Sequence, residues 1–201
     1  MGSLKIIAAF FTGLGCSLLL PFFQKLPAET LSSMALYLLL FLVGVSIGGR
    51  RETLQMLRGI RPSLLLLPLM VASGSILAPG LVAALFLPLS FQEGAAVGAG
   101  MGYYSLSSIL ITKISGETLG LIALLSNIFR EILALTATPL LVRYCGRLSG
   151  IAAGGATAMD TTLPVIVRFT GREYAIIAVF SGLVLTLCTP VLVTAILSYG
   201  A

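Results

Sequence analysis

The chain alternates between long apolar runs and short polar or glycine-rich segments, and the lengths of the runs predict its elements. Stretches near the roughly 20 residues that cross a bilayer as an α-helix occupy 4–23, 31–48 and 62–88. A glycine-rich polar segment follows at 94–113, then a strong span at 118–142, a second glycine-rich polar segment at 151–167 and a last span at 174–198. The third span carries Pro68, Pro79 and Pro88 with Gly74 and Gly80, a pattern that predicts a bend or break whose freed backbone groups are satisfied inside protein. The expected fold is all-α: a polytopic α-helical membrane protein with about five transmembrane helices and two re-entrant or broken-helix hairpins. Residues 1–90 read as a scaffold of three helices, and residues 91–201 as a transport unit of two hairpin-plus-helix repeats.

Composition sharpens this picture. Of 201 residues, 58% are hydrophobic and only 9% charged, with mean hydropathy +1.09, whereas a soluble domain carries about 25% charged residues. The chain has no His and no Trp, which removes imidazole-based metal sites, Ser-His pairs and proton relays. Asp160 is the one aspartate, so an intramembrane aspartyl protease is excluded as well. No enzyme activity, cofactor or metal is expected. Cys16, Cys145 and Cys188 lie in or beside apolar runs without ligand spacing and read as free thiols. Only Lys5 precedes the first apolar stretch, which merges into a full span rather than a signal peptide. The net charge of +5 comes from basic residues at the ends of apolar runs, which is a topology signal and not a nucleic-acid surface.

A shift of 55 residues reveals a repeat. Gly100 falls on Gly155, Ser107 on Thr162, Ile111 on Ile166, Lys113 on Arg168, Ser115 on Thr170 and Gly116 on Gly171. The register continues from Leu121 to Ser126 onto Ile176 to Ser181, giving units 98–142 and 153–197. If each polar segment dips in and returns, each unit crosses once and the two are inverted. With the loop of Arg50, Arg51, Arg58 and Arg61 inside, that arrangement places nine basic residues inside and two outside. Full crossings give eight and three, so the positive-inside rule favours re-entry. Inverted repeats with broken elements meeting near the midplane are a transporter layout.

A charge deep in a bilayer costs at least about 2.5 to 3.5 kcal/mol, which singles out Arg130, Glu131 and Asp160. Asn127 precedes Glu131 by one turn and shares its face, while Arg130 points about 100° away. That offset predicts Arg130 as a structural counter-charge or a donor to carbonyls. Asp160 sits in a run of small and hydroxyl residues ending in Pro164, the composition of a broken-helix binding loop. Thr157, Thr161 and Thr162 supply hydroxyls there. In the first polar segment Ser105 and Ser107 do the same, and Tyr103 and Tyr104 offer faces that either accept a cation or anchor at the interface.

Three stretches carry a family resemblance: Gly100-Met101-Gly102-Tyr103-Tyr104-Ser105-Leu106-Ser107, Ser126-Asn127-Ile128-Phe129-Arg130-Glu131-Ile132-Leu133-Ala134, and Gly155 through Pro164. Together they resemble the signature stretches of the bacterial lysine exporter family. The resemblance implies an inner-membrane protein that exports L-lysine and lysine analogues with two essential intramembrane acids, which by motif position look like Glu131 and Asp160. Tyr103 stands where Trp is common and Thr161 where Phe stands, so substrate preference is left open. Family members also carry further N-terminal spans, so the resemblance implies that these either belong to a separate small N-terminal membrane subunit or have been lost; the expected partners are such a subunit or a second copy in a homodimer, with membrane lipid around them.

Chemistry and resemblance converge on a cationic amino acid. The two acids would take its ammonium groups, and loop N–H groups and hydroxyls its carboxylate. Export is expected by antiport with alternating access: proton and lysine compete for one carboxylate, and sodium is the alternative coupling ion. The competing readings are a passive pore lined by polar hairpins and a structural subunit without transport.

Overall fold

The computed structural model describes Thr12, Met34, Leu38, Phe41, Val45 and residues 66–198. Apart from those isolated positions, the expected spans 4–23 and 31–48 lie outside the described residues, as do Cys16 and the loop of four arginines. Contacts divide the chain into Met1–Leu54 and Gln55–Ala201, and the description below concerns the second unit.

Its described part is all-helical: α1 Leu66–Phe86, α2 Phe91–Gly98, α3 Tyr104–Ser115, α4 Glu117–Cys145, α5 Leu148–Gly154, α6 Leu163–Thr170 and α7 Ala175–Ser198. Short 3-10 turns at Gly155–Met159 and Arg172–Tyr174 precede α6 and α7. Three stretches, Leu66–Phe86, Glu117–Cys145 and Arg172–Ser198, are long and apolar enough to cross a membrane. A 21-residue helix rises about 31 Å, matching the hydrocarbon core. The protein is a polytopic α-helical membrane protein.

Of the bend or break expected in the third span, the described residues show the helix ending before Pro88. α1 runs continuously through Pro79 and Gly80, and the chain turns only at Pro88. Pro79 has no N–H to offer the Ser75 carbonyl one turn earlier, and Gly98 fills the space beside that carbonyl so closely that a Cβ there would overlap it. Gly94 lies in the same way against Ala83 and the Pro79 carbonyl, and Gly80 lies under the Phe91 ring. Small residues thus let α2 run back along α1 in near backbone contact, the packing that replaces hydrophobic drive between helices in lipid. A capping box starts α2: Glu93 N–H donates to Ser90 Oγ at 3.2 Å, and Ser90 N–H donates to Glu93 Oε2 at 2.7 Å.

After a turn at 99–103, α3 packs antiparallel to α4, with Gly120 against Thr112 and the Ser108 carbonyl. α4 then descends past Gly150 of α5, which touches Thr138 and Val142. The second polar segment returns to the end it left: Arg147, just before α5, pairs with Glu173, just after α6, at 3.3 Å. Leu67 at the start of α1 packs on the second hairpin's cluster of Ile151, Ala158, Ile166 and Ala178. Ala83, near its other end, packs on α2 of the first hairpin. The hairpins therefore enter from opposite ends of α1 and meet midway.

Two local features recur at a spacing of 55 residues. α3 ends at Gly116 with φ 94° and ψ 169°, and α6 ends at Gly171 with φ 106° and ψ 156°. Gly100 abuts Asn127 of α4, and the corresponding α7 residue Gly182 abuts Ala156 and Met159 of the second turn.

Candidate functional site

The two hairpin tips touch. Ala156 N–H donates to the Met101 carbonyl at 2.8 Å, and Gly102 lies 3.2 Å, from a notional Cβ, from the Gly154 carbonyl. Gly102 and Gly155 both have positive φ, 97° and 62°, where side chains are disfavoured. Met101 has φ 49° and is fully buried.

Asn127 holds the first tip. Its Oδ1 accepts from Gly102 N–H at 2.7 Å, and its Nδ2 donates to the carbonyls of Val97 at 3.2 Å and Ala123 at 2.9 Å. The side chain is 3% exposed, so its amide is committed to the protein. Sequence reasoning expected Asn127 among the substrate-binding or coupling residues; its amide clamps the first tip, and the residue also lines the cavity described below.

Arg130 holds the second. Its Nε and Nη2 donate to the Ala153 and Ala152 carbonyls, each at 3.1 Å, and its Nη1 donates to Ser75 Oγ at 2.7 Å. These carbonyls end α5, where the helix dipole is negative. The guanidinium thereby ties α4 to α5 and α1.

Asp160 lies exposed at the second tip, where its Oδ1 accepts from Thr161 N–H at 2.6 Å and faces Thr161 Oγ1 at 3.4 Å. The Tyr103 hydroxyl of the first tip stands within electrostatic reach of that carboxylate. Thr157 Oγ1 donates to the Gly154 carbonyl at 2.9 Å and lies 3.4 Å from buried Thr162 Oγ1. Tyr104 is half-buried with its carbonyl taken by Ser108 Oγ, and Ser105 is exposed. Ser107 is fully buried, and its hydroxyl has no hydrogen-bond partner among the described residues, as for Ser181 of α7. Glu131 is half-buried on α4. The tips thus bring together Tyr103, Thr157, Asp160, Thr161 and Thr162, while Glu131 lies on α4.

Between α1, α2 and α4 lies a cavity of about 730 Å3, lined among others by Ser75, Gly98, Ser126, Arg130 and Ala137. Neither acid lines it. Sequence reasoning missed Ser75 and Met101; the one signal for Ser75 was its place four residues before Pro79. Among the described residues no group of His, Cys, Asp and Glu is placed to hold a metal, and Cys145 and Cys188 are free thiols.

The family described as "Lysine exporter LysO" matches residues 7–197. The chain is 34% identical over 192 residues to the lysine exporter LysO of Escherichia coli (strain K12), covering 95% of the chain and 62% of that protein. It is also 34% identical over 154 residues to the "Putative lysine exporter" of Haemophilus influenzae, covering 77% of each. The chain therefore spans less than two thirds of the E. coli protein's length. No solved structure matches.

Proposed function

Because the chain belongs to the lysine exporter LysO family, we propose that it exports L-lysine and lysine analogues across the bacterial inner membrane, with Asp160 and Glu131 receiving the ammonium groups. The observation that carries this reading is the state of Asp160: a carboxylate at the meeting point of two hairpins, with Thr161 as its hydrogen-bond partner. Among the described residues no cation is paired with it, and a carboxylate in a membrane protein's interior favours a ligand that brings one. Lysine carries two ammonium groups against one carboxylate at neutral pH, so two acids suit it better than leucine or glutamate.

In this mechanism proton and lysine occupy the same carboxylate in turn, which couples export to proton entry; sodium would serve in the same exclusive manner. Tyr103, Tyr104, Ser105, Ser107, Thr157, Thr161 and Thr162 shape the surrounding site. The two hairpin units form an inverted repeat, a reading supported by the matched Gly116 and Gly171 caps and by the Met101 and Ala156 contact between residues 55 positions apart. Alternating access separates and rejoins these tips. Thermal-shift titration of purified protein with lysine, ornithine, leucine and glutamate tests the reading: lysine and ornithine stabilise, and Asp160→Asn removes the response. Equal stabilisation by lysine and leucine would contradict it.

A further inference from the structure

The lysine reading assigns the ammonium groups but names no single donor for the α-carboxylate, and many of the tip amides are already engaged. In the first tip, the N–H groups of Ala99, Gly100, Met101 and Tyr103 donate to neighbouring carbonyls and that of Gly102 to Asn127. In the second, those of Gly155, Ala156, Asp160, Thr161 and Thr162 are likewise engaged within the protein.

Arg130 differs from these amides. Of the five N–H groups of a guanidinium, three are engaged, by Ala152, Ala153 and Ser75. Among the described residues, one N–H on each terminal nitrogen has no acceptor. All three acceptors are neutral, and among the described residues no carboxylate is bonded to the guanidinium, which lines the cavity between α1, α2 and α4. A cation at membrane depth costs free energy unless an anion joins it. At about 730 Å3 the cavity falls within the roughly 300 to 1,000 Å3 of small-molecule sites. Gly98, Ala134, Ala137 and Ala153 keep its wall low around the guanidinium, and Ser126 adds a hydroxyl.

We infer that this cavity is the subsite for the substrate's α-carboxylate, held by the two N–H groups that Arg130 has left. Glu131, the next residue on α4, presents its carboxylate about 100° around the helix, so one turn of α4 would offer opposite charges to the two ends of an amino acid. The inference rests on the lysine reading and adds to it a determinant for amino acids over simple amines.

The test compares lysine with 1,5-diaminopentane, which keeps both ammonium groups and lacks the carboxylate, by thermal-shift titration of the full chain in detergent. Lysine binds the unmodified protein more tightly by about 10- to 100-fold, the range for a charged hydrogen bond. In Arg130→Gln that ratio falls towards one. A clamp without ligand contact would weaken both ligands alike, so a preserved ratio overturns the inference. Should Arg130→Gln fail to fold, Ala137→Phe fills the cavity without touching the clamp: lysine affinity falls with the fold retained, and unchanged affinity overturns the inference. Equal binding of lysine and diaminopentane to the unmodified protein overturns the subsite and leaves the lysine reading standing. A leucine response that exceeds lysine's and vanishes in Arg130→Gln sinks the lysine reading and keeps the subsite.

Discussion

The amide of Ala156 is bonded to the carbonyl of Met101 at 2.8 Å, and the two residues stand 55 positions apart in the chain. The contact joins the hairpin tips, each anchored by a polar side chain of α4: Asn127 on the first, Arg130 on the second. A single helix therefore sets the height at which both hairpins turn.

Gly155 tests the tightness of that meeting. It has φ 62°, and a Cβ there would run into the Met101 carbonyl and the Arg130 guanidinium. Gly155→Ala is expected to cost about 1–3 kcal/mol, read as a lower midpoint of thermal unfolding in detergent. An unchanged midpoint would mean that the tips are not in contact.

Asn127→Ala orphans the Gly102 N–H in a buried setting, at about 1–3 kcal/mol, while the Val97 carbonyl keeps the Gly100 N–H. Hydrogen exchange at Gly102 should rise, together with a loss of stability. Protection equal to that of the unmodified protein would show that the amide is held by something else.

Re-entry predicts which cysteines share a side. In a background lacking the native cysteines, Gln92→Cys and Ser115→Cys should label from one face, and Arg172→Cys from the other. With Cys145 restored, it should label from the same face as Arg172→Cys, because Arg147 and Glu173 close that hairpin. A hairpin whose two ends label from opposite faces would instead be a full crossing.

The sequence was most legible where periodicity is irrelevant and length suffices. The spans expected at 118–142 and 174–198 correspond to α4 at Glu117–Cys145 and α7 at Ala175–Ser198. The polar segments contain the breaks, because glycine and hydroxyl residues cannot continue an apolar helix without partners. α1 stays helical through Pro79, where Gly98 of another helix lies against the Ser75 carbonyl that proline frees. That compensation lies 15 or more residues away in the chain and leaves no local signal. The commitment of Asn127 was equally hidden: an amide on the same face as an acid reads as a ligand, and only the fold shows that Val97, Ala123 and Gly102 consume it.

The central claim, lysine export through a carboxylate at the hairpin tips, is tested most directly by counterflow of labelled lysine in proteoliposomes holding this chain, with and without a proton gradient. Saturable counterflow that responds to the gradient and is lost in folded Asp160→Asn is the predicted result. Lysine flux that does not saturate, or that Asp160→Asn leaves unchanged, would contradict the account.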